Sequence, residues 1–301
     1  MAACVKCNLC EEPGTLADPA EVGAVPCNVR EFSKEVFTLW RCIGCGSLHC
    51  AEDADLNRYY AHYPLKRQKL NFNDRVGYRN RWRMIQAQGL APSSHILDYG
   101  CGAGLFVDFL HQQGVENAKG YDPYVPKYAD PLALHRQYDA IVSYDVIEHS
   151  EEPREFFRSL VRLVKPGGLL VIGTPNAQNV SLRRKGSPSL HVPFHRHILS
   201  KRALLALGKE AACEPARVYE RSFYDSIYPT VNSRFMWRYI EKAGGMLDAA
   251  VEPPRPGLVL SSPELLFFAF FGYFVPLREN MIVIFRTADS RVLIVPAPVT
   301  D

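Results

Sequence analysis

His95-Ile-Leu-Asp-Tyr-Gly-Cys-Gly-Ala-Gly104 is the stretch that decides the fold of this 301-residue chain. An apolar stub ends in Asp98, glycines follow at alternate positions (Gly100, Gly102, Gly104), and an apolar helix is expected from Leu105. Strand, glycine turn and helix in that order make the setting of a nucleotide-binding loop. Glycine is needed because the backbone must turn sharply and approach a ligand more closely than a Cβ allows. The spacing is selective: a dinucleotide fingerprint, G-x-G-x-x-G, asks for glycine where this chain has Leu105. Here the third glycine comes one residue early, and an acid stands two residues before the first. A tight turn that binds nothing is the plain alternative.

Working outward, Ala118-Lys-Gly-Tyr-Asp122 reads as a short second strand ending in an acid, and Tyr138 to Asp145 as a buried parallel strand. Val146-Ile-Glu-His149 follows. Glu155 to Leu163 carries Phe156, Phe157, Leu160 and Val161 at helical spacing, and Lys165-Pro-Gly-Gly168 stops that helix. Leu169 to Gly173 is the next buried strand, ended by Thr174-Pro-Asn176. This alternation indicates a doubly wound parallel sheet. Its ligands sit at the carboxyl ends of the strands, where Asp98, Asp122, Asp145 and Asn176 are expected. Pro123, Pro126 and Pro131 exclude a normal helix between Asp122 and Tyr138. Farther on, we expect a helix over Lys201 to Ala211, a strand near Arg217 to Arg221 and a last strand over Met281 to Arg286. Between those strands lie an amphipathic helix, Ser233 to Ala243, and a strongly apolar one, Glu264 to Phe274, joined by a loop through Pro253-Pro254-Arg-Pro256. The apolar helix can be a lid, a dimer face or a substrate cradle, and a core helix is the first expectation.

The set Asp-Tyr-Gly-Cys-Gly-Ala-Gly, Gly-Tyr-Asp, Asp-Val-Ile-Glu-His and Lys-Pro-Gly-Gly resembles class I S-adenosylmethionine-dependent methyltransferases, among them the ubiquinone-pathway O-methyltransferases. The resemblance covers residues 76 to 222 and the terminal strand. It implies an α/β, Rossmann-like, doubly wound and mostly parallel sheet, with a methyltransferase domain over 91–301 that includes a helical insert or lid over 223–280. It also implies S-adenosylmethionine as cofactor, held by Asp98, Gly100, Cys101, Gly102, Gly104, Asp122, Pro123 and Asp145, with Asp122 taking the ribose hydroxyls. Such enzymes usually place a helix, a third strand and an adenine-side acid between Asp122 and Tyr138. This chain departs from that pattern, so its adenine contacts stay unassigned.

Composition narrows the function classes. A hydrophobic content of 47% suits one large domain with a small one, and a net charge of +3 is too mild to argue for a nucleic-acid partner. The basic runs Arg79, Arg81, Arg83 and Arg183-Arg-Lys185 read first as solvated surface or as contacts to an anionic group on a small substrate. No basic stretch followed by an apolar core opens the chain, and Leu265 to Leu277 is too short to cross a bilayer. A cytoplasmic protein is expected, with oligomeric state open and a homodimer among the options.

Seven of the nine cysteines fall in the first fifty residues: Cys4, Cys7, Cys10, Cys27, Cys42, Cys45 and Cys50. In a reducing compartment such clustering means metal more often than disulfides. Two C-x-x-C units can close a tetrahedral Cys₄ zinc site. Cys42-Ile-Gly-Cys45 is one; for the other, Cys4-x-x-Cys7 and Cys7-x-x-Cys10 overlap, and Cys7 with Cys10 is preferred. Buried free thiols are the bland alternative. A zinc-binding ribbon over 1–55 and a helical connector over 56–90 complete the expected organisation. Together with the methyltransferase motifs this resembles enzymes of bacterial secondary metabolism and sugar modification that carry an N-terminal zinc-binding region. In those, the second knuckle leads through an apolar strand, here Ser47-Leu48, into a Tyr-Tyr helix, here Arg58-Tyr59-Tyr60. The larger sugar C-methyltransferases continue into a further domain for which this chain has no room, which favours an O-methyltransferase.

Methyl transfer mainly requires alignment and exclusion of water. A hydroxyl nucleophile must also lose its proton, and His149 beside Glu148 is the leading base. A second cluster, His191-Val-Pro-Phe-His-Arg-His197, follows the fifth strand. Glu148, His149 and His195 resemble the metal set of ubiquinone-pathway and small-RNA 2′-O-methyltransferases, with Asp145 replacing the first glutamate. A second divalent metal there, metal-free base catalysis, and a purely architectural pair all stay open. The reading is a methyltransferase acting on a small molecule, by O-methylation first and C-methylation next. The rival of another class is a non-catalytic scaffold docking through its ribbon, and Leu105 disfavours a dinucleotide-dependent oxidoreductase.

Overall fold

The computed structural model describes residues 6–12, 22–64, 69–183, 187 and 189–289. Cys4, Arg184 and Lys185 lie outside them. The chain begins with three short strands, β1 (Val22–Pro26), β2 (Val36–Arg41) and β3 (Leu48–Cys50), paired antiparallel. Helix α1 (Leu56–Ala61) starts on an Asp55 cap, and α2 (Phe72–Gln86) on a capping box in which Asn71 and Asp74 satisfy each other's backbone amides. There follow β4 (Ile96–Tyr99), α3 (Leu105–Gln112), β5 (Ala118–Tyr121), β6 (Tyr138–Tyr144), α4 (Pro153–Arg162) and β7 (Val164–Pro175). The chain then runs through β8 (His197–Ile198), α5 (Lys201–Glu210), β9 (Cys213–Tyr219), α6 (Ser233–Lys242), α7 (Pro256–Leu260), α8 (Pro263–Phe271) and β10 (Asn280–Thr287).

The main sheet has the order β5-β4-β6-β7-β10-β9. Its β5, β4, β6 and β7 are parallel neighbours, while β10 runs antiparallel to both β7 and β9. This is the expected doubly wound, mostly parallel α/β fold. Between β5 and β6 the described chain makes only two 3-10 turns, Pro126–Tyr128 and Pro131–Leu134. The period-2 rule sorts the core: Leu97, Ile141 and Leu170 face α4 and α5 with Phe157 and Leu204, whereas Ile96, Val142 and Val171 face α2 and α3 with Trp82 and Phe106.

Several boundaries move. Lys165-Pro-Gly-Gly168 lies inside β7 and not before it, because Val164 already pairs with Tyr138 and Gly167, at φ +73°, bends the strand where the register shifts. The strand expected at Arg217 to Arg221 starts earlier, since β10 pairs from Cys213 to Tyr219. Pro256 opens α7 at its first turn, where its missing N–H costs nothing, so the proline loop is shorter than expected. The expectation of a core helix at Glu264 to Phe274 fails. Leu265 and Ala269 are buried, but Phe267, Phe270, Phe271 and Phe274 are 50%, 57%, 52% and 70% exposed. A nine-residue helix that is apolar all round has more greasy surface than one neighbouring layer can cover.

The small sheet is not self-contained. Its fourth strand is β8, where Leu48 pairs with Ile198 and His49 with His197. No described helix is long and apolar enough to cross a membrane.

Candidate active site

At the end of β4 the glycine loop takes the conformation that only glycine adopts freely: Gly100, Gly102 and Gly104 have φ of +76°, +52° and +77°. A Cβ at Gly100 would collide with Val146, while Gly102 borders open space. The amides of Gly100 and Cys101 donate to the Tyr121 carbonyl (2.7 and 3.2 Å), which ties the loop to β5. Asp122, just past β5, accepts from Gly102 N (2.9 Å) and Tyr124 N (2.9 Å), with Pro123 exposed beside it. The loop, Asp122 and Asp145 therefore share one rim of the sheet, and Asp145 reaches it with φ +55°. Burial pushes the Cys101 thiol up, so it stays protonated.

Asp98 points elsewhere. It is buried and paired with Arg81 of α2 at 2.8 Å. The guanidinium of Arg81 lies 3.9 Å from the Phe106 ring centre and 3.7 Å from that of Tyr144, and its Nε has no partner. Desolvation raises the Asp98 carboxyl, and the Arg81 charge opposes that shift. In the sequence Arg81 looked like one of several surface arginines; nothing at helical spacing distinguishes it.

The second centre lies one strand over. Glu148, His149 and His195 each offer a ligand atom within 4.8 Å of the others. Two tautomers can be assigned from acceptor-only partners. Nδ1 of His149 lies 2.8 Å from the Phe194 carbonyl and Nδ1 of His195 2.8 Å from that of Ser189, so each Nδ1 carries the proton and donates it. Both Nε2 atoms are left with lone pairs. The Tyr60 hydroxyl, 3.0 Å from His149 Nδ1, adds a further contact from α1. Burial pulls His149 down to about 4 and His195 to about 3, which keeps both rings neutral. Glu148 Oε2 accepts from the Thr174 hydroxyl (3.0 Å), whereas Oε1 is buried without a partner, 3.9 Å from His195 Nε2. Burial and the Asp145 charge push the Glu148 carboxyl well above its ordinary range. A buried acid with an orphaned oxygen and two imidazole lone pairs is a donor set that fits a divalent cation. Tyr60, Tyr63, Phe194 and His191 wall this centre, with the His191 ring stacked on Phe194 at 4.4 Å. Asn176 does not join it; its Oδ1 caps Gln178 N and Lys201 N.

The described cysteines Cys7, Cys10, Cys42 and Cys45 gather with all four sulfurs within 4.8 Å of one another. Cys7 and Cys45 are 3.6 Å apart, and Cys10 and Cys42 3.4 Å. A tetrahedron with Zn–S near 2.3 Å has sulfurs about 3.8 Å apart, so the donor set fits zinc. Sharing one proton, Cys7 is pushed up while Cys45 falls to about 3. Cys27 and Cys50 are buried elsewhere as free thiols.

Residues 67–216 match the family model described as a methyltransferase domain. A ubiquinone biosynthesis O-methyltransferase of Rickettsia bellii is 33% identical over 100 residues, 27% of this chain and 42% of that protein. The Rickettsia canadensis protein of the same name is 26% identical over 168 residues, 49% of this chain and 62% of its own length. The match thus spans only part of these curated relatives. Among solved structures, the N-methyltransferase NodS of Bradyrhizobium japonicum in complex with S-adenosyl-L-homocysteine aligns over 77% of this chain and 96% of its own, with 15% identity and a TM-score of 0.42.

Proposed function

Because this chain belongs to the class I S-adenosylmethionine-dependent methyltransferases, we propose that it moves a methyl group from S-adenosylmethionine to a hydroxyl of a small molecule in specialised metabolism. The observation that carries this reading is that Glu148, His149 and His195 each offer a ligand atom within 4.8 Å of the others, just past β6, the strand beside the glycine loop's β4. S-adenosylmethionine supplies an electrophilic methyl on a good leaving group. On this reading Asp122 takes the ribose hydroxyls, and the loop through Gly100, Cys101, Gly102 and Gly104 lets the backbone approach. Asp145 borders the same rim. On the acceptor side, His149 Nε2 takes the hydroxyl proton, and the aromatic wall of Tyr60, Tyr63 and Phe194 excludes water. In the alternative, metal-assisted version that same Nε2 lone pair would join Glu148 and His195 in holding a divalent cation, which would lower the pKa of the acceptor hydroxyl in place of the base. The cysteine cluster is read as a structural zinc site, since four thiolates leave no open position. A front end dense in C-x-x-C units suits a reducing compartment such as the cytoplasm.

The test is a mass-shift screen of small hydroxylated acceptors with a labelled methyl donor. The wild type should label one acceptor class. His149→Ala should lose turnover by about 100-fold or more with donor affinity unchanged, the size expected for a general base. Full activity in His149→Ala would remove the acceptor-side role and leave Glu148-His149 as architecture. Chelation separates the two versions of the chemistry, since only the metal-assisted one is abolished by it.

A further inference from the structure

The four-cysteine cluster and the acceptor centre are joined by a short chain of hydrogen bonds. Asn8 lies between two of the cysteines, Cys7 and Cys10, and its amide nitrogen makes two contacts. It donates 2.8 Å to the Glu151 carbonyl, in the loop that carries Glu148 and His149, and lies 2.9 Å from Nε2 of His197, two residues from His195. An amide N–H is a donor, so His197 Nε2 accepts, and the remaining ring proton sits on Nδ1. Nδ1 of His197 is 2.9 Å from Nδ1 of His49, which then accepts. The proton of His49 is thereby placed on Nε2, a buried atom without a hydrogen-bond partner. The donors and acceptors along Asn8, His197 and His49 have one consistent direction. The path starts in the Cys7-Cys10 knuckle and ends at His49 on β3, the strand that follows the other knuckle.

The surrounding bonds follow the same route. Ser200 donates its hydroxyl to the Cys45 carbonyl (2.6 Å) and its amide to Ser47 Oγ (2.9 Å). Cys50 N donates to the Arg196 carbonyl at 3.0 Å, and Arg154 reaches the Leu9 carbonyl at 3.4 Å. Glu148-His149 and His195 belong to different loops, with no described hydrogen bond between their side chains; Glu148 Oε1 and His195 Nε2 stand 3.9 Å apart. Asn8 touches the continuation of both loops, and so adds to the direct bond from His149 Nδ1 to the Phe194 carbonyl.

We propose that Asn8 is a positioning residue: its amide, held by the Cys7 and Cys10 knuckle, sets the separation of the Glu148-His149 loop from the His195-His197 segment, so that metal loading of the cysteine cluster shapes the acceptor centre. This rests on the reading of Glu148, His149 and His195 as that centre. Asn8→Asp keeps the size of the side chain and removes both N–H donors. Long-range imidazole ¹H–¹⁵N spectra of the full zinc-loaded chain report His149 and His195 without any need for an acceptor. The expected result is that Asn8→Asp retains one zinc per chain and wild-type affinity for S-adenosylmethionine, while the Nε2 resonances of His149 and His195 shift and broaden. Asn8→Ser and wild type stripped of zinc by chelator should show the same displacement. Variant spectra that superimpose on wild type with zinc in place would overturn the proposal, as would unchanged His149 and His195 signals in the stripped protein. Failure of the methyltransferase reading is distinguishable, because it shows as absent donor binding in the wild type and leaves the zinc-dependence of the spectra untouched.

Discussion

Replacing Arg81 with methionine removes one member of a buried ion pair and leaves the other behind. The side chains of Arg81 and Asp98 are 6% and 5% exposed and 2.8 Å apart. Breaking such a pair from one side costs about 3–5 kcal/mol, since the surviving charge has no water to return to. The guanidinium also fills the space between Phe106 and Tyr144, which methionine fills only in part. For a protein of this size, about 2–4 °C of melting temperature per kcal/mol translates this into a loss of roughly 6–20 °C. The loss should depend on pH. Desolvation already holds the Asp98 carboxyl above its ordinary range, and without Arg81 it rises further. Between the ordinary carboxylate pKa and the raised one the native state binds more protons than the unfolded state, so stability falls as pH rises through that window. Arg81→Met should therefore be most damaging at alkaline pH and recover partly on acidification. Adding Asp98→Asn should recover a large part of the loss above that window and little below it. Urea unfolding at several pH values, with the single and double variants side by side, measures this. A penalty under about 1 kcal/mol, the size of an exposed pair, would refute the argument, as would a double variant no more stable than Arg81→Met.

Three further outcomes are expected. The purified protein should carry one zinc per chain through Cys7, Cys10, Cys42 and Cys45; Cys42→Ser should lose it and loosen the front strands before the main sheet, as elemental analysis and hydrogen exchange would show. Asp122→Ala should weaken S-adenosylmethionine binding by about ten-fold or more, the loss of charge-assisted hydrogen bonds, and calorimetry reads it directly. Burial lowers His49, His149, His191, His195 and His197. The unfolded chain then binds more protons below its ordinary histidine pKa, so stability present above about pH 6.5 should drain away on acidification toward pH 4. A melting temperature flat across that range would contradict the buried neutral histidines.

The glycine loop was readable because its rule is a backbone rule: positive φ at Gly100, Gly102 and Gly104 leaves a mark in residue type. The parallel strands were readable from their unbroken apolar runs. What sequence could not supply was direction. His191, His195 and His197 lie in one seven-residue stretch, yet His195 faces Glu148, His197 faces His49, and His191 stacks on Phe194. Which way each points follows from the β3–β8 pairing, a contact between distant segments with no local signature. Asp98 was expected at the ligand and instead neutralises Arg81, because a helix pattern does not show which arginine turns inward. Tyr60 and Asn8 were missed for the same reason. The overlap of Cys4-x-x-Cys7 with Cys7-x-x-Cys10 left two ligand sets open; in the structure Cys10 stands 3.4 Å from Cys42, while Cys4 lies outside the described residues. The apolar helix α8 misled, since greasiness reads as core and its exposed phenylalanines are visible only once its neighbours are placed.

The most direct test of the central claim is calorimetric titration of the zinc-loaded wild-type chain with S-adenosylmethionine and, separately, with NAD. The account predicts one S-adenosylmethionine site per chain with a Kd in the micromolar class, about 7–8 kcal/mol of binding free energy, and no comparable affinity for NAD. Absence of S-adenosylmethionine binding, or tighter binding of NAD, would contradict it.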